Sequence, residues 1–171
     1  MTVEKVTEAL AVLALQGPYS SALLKTLSDS DFDQLPYYSI IKTNLAGIPV
    51  AVSRTGYTGD LGYELWVEPH LAEQLWDDLF EAGQAYRLRP FGEYALAMAR
   101  IEAGMLLVEV DFHSSKKALY EFQKSSPLEL GLGWTVKLNK VVFVGQRALR
   151  RELARGLAWK TVGLEIDFKS L

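Results

Sequence analysis

The chain has 171 residues, 49% of them hydrophobic and 23% charged, and carries a net charge of −3. That length suits one domain, or one domain with a lobe attached, and the apolar share is ample for a packed core. The acidic balance argues against a nucleic-acid surface, and the lack of cysteine excludes disulfides, thiolate zinc sites and a cysteine nucleophile.

In chain order, MTVEKVTEAL has charges where a signal peptide needs an apolar core. LAVLALQG (Leu10 to Gly17) is a continuous apolar run ended by Gly-Pro and predicts a buried strand. Pro18 opens PYSSALLKTLS, a short helix with Leu23, Leu24 and Leu27 on one face. YSIIKTNLAGIPVAVSR (Tyr38 to Arg54) predicts a hairpin turning at Ala46-Gly47, and YELWVE (Tyr63 to Glu68) alternates as a strand. Pro69 begins PHLAEQLWDDLFEAG, a helix with Leu71, Leu75, Trp76 and Leu79 in one stripe and Gly83 as its stop.

GEYALAMARIEAG (Gly92 to Gly104) predicts an alanine-rich helix whose small residues permit close approach. MLLVEVDF predicts a strand, GQRALRREL a helix and TVGLEID a last strand. RALRRELAR (Arg147 to Arg155), the one dense basic cluster, reads as a solvated helix face. Three longer helices among some seven strands imply an α+β domain with a mixed, largely antiparallel sheet and packed helices. No apolar run approaches the ~20 residues that span a bilayer, so no membrane contact and a cytoplasmic setting are expected. His70 and His113 lie far apart with no carboxylate cluster at ligand spacing, so no metal site is expected.

SRTGYTGDLGYELWV (Ser53 to Val67) is the stretch richest in chemistry. Gly56, Gly59 and Gly62 can take positive φ and bring backbone N–H groups close to a partner. Tyr57 and Tyr63 offer flat faces with polar tips, and Asp60 and Glu64 offer carboxylates. No lysine follows at P-loop spacing, and the acids repel phosphate, which argues against a nucleotide. Two readings stay open on spacing alone. One is a cradle for a flat heterocycle with adjacent N–H donors; the other is a wide hairpin whose tyrosines cap the core.

SRTGYTGDLGYELWV resembles the signature of the folate-binding aminomethyltransferase family, which includes the glycine cleavage T-protein and tetrahydrofolate-dependent demethylases. LALQGPYSSALLKTLSD, RIEAGMLLVEVDF and SPLELGLGWTVKLNKVVFVGQRAL agree in order, so the likeness runs from about Leu13 to Asp167. The resemblance implies the α+β core of that family. Residues 1–110 would form part of its folate-binding domain, and 111–171 the remainder, leading to a C-terminal β-barrel not contained here. It implies tetrahydrofolate as cofactor and one-carbon transfer from a small donor to folate N5 or N10. Glu64 matches the glutamate that binds the pterin N3–H and 2-amino group, and Tyr57 matches a tyrosine beside the folate. Leu96 and Met105 are assigned to the same cofactor site.

The pattern also breaks. Leu96 and Ala97 stand where the family carries an Arg-Asp pair, and that arginine helps hold folate. Arg100 and Glu102 match a later, structural part of the motif. The T-protein's key aspartate lies upstream of every matched segment, so no catalytic residue is assigned to this chain. The isolated chain is expected to be inactive and to work with a companion segment or subunit, with a homodimer as another possibility. The alternatives are a non-catalytic folate-binding regulatory or assembly module and an inactive structural fragment. Asp111 and His113, close in sequence, read as an ordinary loop.

Overall fold

The structure of the protein, a computed structural model, describes residues 2–167 and 169. It comprises two compact units, Met1–Met105 and Leu106–Leu171.

In the first unit, β1 (Ala11–Gln16), β2 (Ile40–Leu45), β3 (Ile48–Ser53) and β4 (Gly62–Val67) form one antiparallel sheet in the order β1-β4-β3-β2. The β2–β3 hairpin turns at Ala46-Gly47, as expected. Leu45 pairs with Ile48, and both turn residues take left-handed φ, 49° and 83°, the backbone a two-residue hairpin needs to match strand twist. The sheet has one apolar face. Leu15, Val50, Val52, Tyr63, Leu65 and Val67 are buried there with Phe32 and Leu35. Two helices contribute to that core: Leu23 and Leu24 from α1 (Ser20–Leu27), and Leu75 and Leu79 from α2 (Ala72–Gly83). A third helix, α3 (Glu93–Glu102), follows the segment 84–92. The architecture is α+β, with an antiparallel sheet and packed helices.

Several expectations need correction. β1 is an edge strand and is not buried on both faces: Leu15 is in the core, while Val12 is 41% exposed. Its continuous apolar run hid this, because Val12 and Ala14 fill the outward places of an alternating pattern. Gly83 does not end α2 with a left-handed turn. Its φ is −72°, the chain passes into a 3₁₀ turn (Gln84–Tyr86), and Arg87 takes the left-handed conformation at φ 56°. Gly83 is needed for space instead, since a Cβ there would lie 2.6 Å from the Leu88 side chain.

In the second unit, GQRALRREL forms α4 (Gln146–Arg155) as expected. MLLVEVDF is not a strand. Its residues 107–112 turn back on themselves, Glu109 takes φ 67°, and the only pairing is an isolated Val108–Phe112 bridge. TVGLEID forms no ladder. Thr161 is tied to the rest of the unit, its N–H and Oγ1 donating to Glu129 O at 3.0 and 3.1 Å, and Asp167 accepts from Lys169 N–H at 2.9 Å. β-propensity expresses itself only where a partner strand supplies hydrogen bonds. Among the described residues no strand does so here, leaving four strands where about seven were expected.

Candidate ligand-binding site

Residues 54–61 link β3 to β4, and the loop closes around a side chain from another strand. Gln16, the last residue of β1, pairs with Gly62 and sends its amide into the loop. Its Nε2 donates to Thr55 O at 3.4 Å and Tyr63 O at 3.3 Å, and its Oε1 accepts from Thr58 Oγ1 at 3.1 Å. One amide thus holds the start, middle and end of the loop. A Cβ on either Gly56 or Gly62 would collide with that amide. Gly59 differs: it takes φ 77°, and a Cβ there would strike Ala103, just past α3. The three glycines therefore serve contacts within the protein, with positive φ required only at the middle one.

Glu64 sits on β4, half-buried, with Ala14 and Ser53 as its register partners on either side. Strand alternation puts Tyr63, Leu65 and Val67 into the core and turns Glu64 and Trp66 to the other face. There Thr55 Oγ1 donates to Glu64 Oε2. Ser53 Oγ lies 2.8 Å from Thr55 Oγ1, and Trp66 Nε1 donates to Ser53 Oγ at 3.0 Å. A carboxylate has about four acceptor positions, and only one is used by Thr55. The remaining lone pairs suit a ligand presenting neighbouring N–H groups.

Tyr57 is half-buried within the loop. Contact between Gly59 and Ala103 packs that loop against the end of α3, two residues before Met105. Met105 is half-buried, its N–H donating to Arg100 O at 2.8 Å and its carbonyl accepting from Arg100 Nη1 at 3.3 Å. Arg100, 6% exposed, thus closes the end of α3, in line with its structural reading. Leu96 lines an apolar cavity of about 310 Å³ with Ala14 and Gln16 of β1, Trp76 and Phe80 of α2, and Phe91. Glu64, Tyr57 and Met105 do not line this cavity. The link between the two places is β1, since Ala14 borders the cavity and is paired with Glu64.

Two readings of the loop fail. Tyr63 offers no face to a ligand: it is fully buried, packs edge-on to Phe32 and donates its hydroxyl to Phe32 O at 2.9 Å. Asp60 is exposed and accepts from Leu61 N–H at 2.8 Å, a local turn contact. In the second unit, Asp111 Oδ2 accepts from Leu107 N–H at 2.6 Å, and His113 Nδ1 lies 3.9 Å from Glu109. Both belong to the turn at 107–114. Among the described residues no three His, Asp or Glu side chains cluster as a metal site, and no helix is long and apolar enough to cross a membrane.

Gln16, Ser53, Thr55 and Trp66 escaped sequence reasoning. A signal existed: Gln16 is a polar residue ending an apolar strand, and Ser53 and Thr55 sit two apart, hence on one face if the strand continues.

Comparison with known proteins bears on what the carboxylate serves. The family described as the GCVT N-terminal domain matches residues 1–140. The chain is 42% identical over 161 residues to an aminomethyltransferase of Halothermothrix orenii, covering 94% of this chain and 43% of that protein. It is 38% identical over 165 residues to an aminomethyltransferase of Caldanaerobacter subterraneus, covering 96% and 42%. Among solved structures, glycine cleavage system aminomethyltransferase T from Bartonella henselae superposes with a TM-score of 0.67 at 25% identity. That match covers 86% of this chain and 37% of that one. The chain spans less than half the length of the relatives it matches.

Proposed function

The chain belongs to the GCVT N-terminal domain family, and from that premise we propose that it supplies the pterin-binding part of a tetrahydrofolate-dependent one-carbon transferase. The observation that carries this reading is Glu64: a half-buried carboxylate on a rigid strand, one oxygen fixed by Thr55, beside a loop anchored by Gln16. Its unused acceptor positions match the paired N–H donors of a pterin edge. Tyr57 flanks the ring from the loop, and Met105 closes the side reached from the end of α3. Leu96 belongs to the apolar cavity that adjoins this site across Ala14, and it puts an apolar group there where an ionic contact would otherwise stand.

Tetrahydrofolate, when bound, supplies the nitrogen that accepts the one-carbon unit. The residues of this chain bind and orient it, an effect of proximity. The acidic group that stabilises a charged donor belongs to a companion segment or subunit in this reading. The donor is aminomethyl, as the names of the relatives suggest, or an N-, O- or S-methyl group, and the setting is cytoplasmic. Calorimetric titration of tetrahydrofolate tests the proposal. Glu64→Gln is expected to weaken binding by about 1–3 kcal/mol, because an acceptor becomes a donor facing a donor. Unchanged affinity rejects the role of Glu64.

A second reading, a folate-binding module without catalysis, draws on Leu96, which offers a ligand no charge. Added upstream partner and donor, with product followed by mass spectrometry, separate the two.

A further inference from the structure

The hydroxyl contacts behind Glu64 have a fixed direction. Thr55 has one hydroxyl hydrogen and gives it to Glu64 Oε2. The single hydrogen of Ser53 then has two acceptors in reach, Glu64 O at 3.4 Å and Thr55 Oγ1 at 2.8 Å, and the shorter contact takes the larger share of it. Ser53 in turn accepts the indole N–H of Trp66 at 3.0 Å. The order is Trp66 to Ser53 to Thr55 to Glu64, ending on a charged acceptor, and donors in such a chain polarise one another. Ser53 pairs with Glu64, and Ala51 with Trp66, so the relay spans two strands that cannot slip independently. Gln16 holds Thr55 from the other side, through its main-chain carbonyl.

We propose that Thr55, backed by Ser53 and Trp66 and anchored by Gln16, is a positioning residue that presets the Glu64 carboxylate before ligand arrives. The committed oxygen cannot rotate without breaking the relay, so the free lone pairs keep one direction. A preset acceptor binds without the cost of ordering a mobile side chain. This rests on the pterin reading for the identity of the ligand, not for the existence of the relay.

The test uses the full chain and two variants. Thr55→Val keeps the shape and removes the hydroxyl; Thr55→Ser returns it. Three readouts are taken: tetrahydrofolate affinity by calorimetry, the Tm, and NMR signals of the Glu64 carboxylate carbon and the Trp66 indole N–H. Thr55→Val is expected to lower affinity about tenfold and to move both signals. Thr55→Ser is expected to restore affinity and both signals, including in any pair of samples whose Tm values agree. The proposal is overturned if Thr55→Val binds like the parent chain, if serine fails to restore affinity, or if the Glu64 signal does not move. Should the parent chain bind no tetrahydrofolate, the pterin reading falls, and the two NMR signals alone decide the relay.

Discussion

The two units are built on opposite principles. In residues 1–105 the buried side chains are mostly leucine, valine and aromatic, and sheet and helices share one apolar cluster. In residues 106–167 the buried side chains are Glu129, Gln146 and Glu152, all polar, while Val141, Val142 and Val144 are 88%, 86% and 103% exposed. The second unit is stitched by hydrogen bonds. Ser126 donates through Oγ to Glu152 at 2.7 Å and through N–H to Glu129 at 3.0 Å, and accepts from Glu129 N–H at 3.2 Å. Gln146 ties the loop before α4 by donating to Leu138 O at 2.9 Å and Lys140 O at 3.2 Å. Apolar burial is worth about 25 cal/mol per Å², whereas a hydrogen bond nets only about 1 kcal/mol after water is exchanged. The first unit therefore has its own source of stability, and the second has mainly geometric order.

The sharpest way to break this contrast is truncation in each unit. Leu65→Ala, at a fully buried position, is expected to cost about 2–5 kcal/mol. Val142→Ala, on an exposed side chain, is expected to stay within about 0.5 kcal/mol. Urea unfolding of both variants compares them directly; equal losses would refute the division.

Next in size is overpacking at the loop. Gly62→Ala drives a methyl into the Gln16 amide and is expected to cost about 1–3 kcal/mol. Adding Gln16→Ala removes the obstacle, so the double variant should lose less than the two single losses combined. Full additivity in a denaturation cycle would show that Gln16 does not fill the glycine socket.

Smaller again is the polar stitch. Ser126→Ala removes both Oγ contacts and is expected to cost about 1 kcal/mol, as for a lost helix cap. Hydrogen exchange should report it as faster exchange at residues 126–130, with the sheet of the first unit unchanged.

The smallest effect is acid dependence. The hydrogen bond from Lys25 holds the Asp33 carboxyl below its usual range, with Ser21 also donating. In the second unit, the hydrogen bonds from Ser114 do the same for Glu109. A folded-state value below the unfolded one contributes stability that is present above the ordinary carboxylate range and fades as pH falls through the lowered value. Thermal melts of Lys25→Met should therefore differ slightly from the parent at pH 7 and converge with it in acid. A gap that widens on acidification would contradict the sign.

By itself the sequence determined the elements that local chemistry controls. The Ala46-Gly47 hairpin follows from turn conformation, α2 and α4 from helical spacing, and β4 from alternation. Glu64 was legible as a carboxylate where a glycine loop meets a strand. Tertiary structure decided what each residue faces. Tyr63 and Glu64 are neighbours in the chain, yet strand alternation sends the tyrosine into the core and the glutamate to the opposite face. MLLVEVDF and TVGLEID have strand-like composition, but a strand exists only where another backbone completes its hydrogen bonds. The glycine loop makes the same point. Its spacing announced a close approach, while the group approaching, the Gln16 amide, is some forty residues away in sequence and adjacent only because β1 pairs with β4.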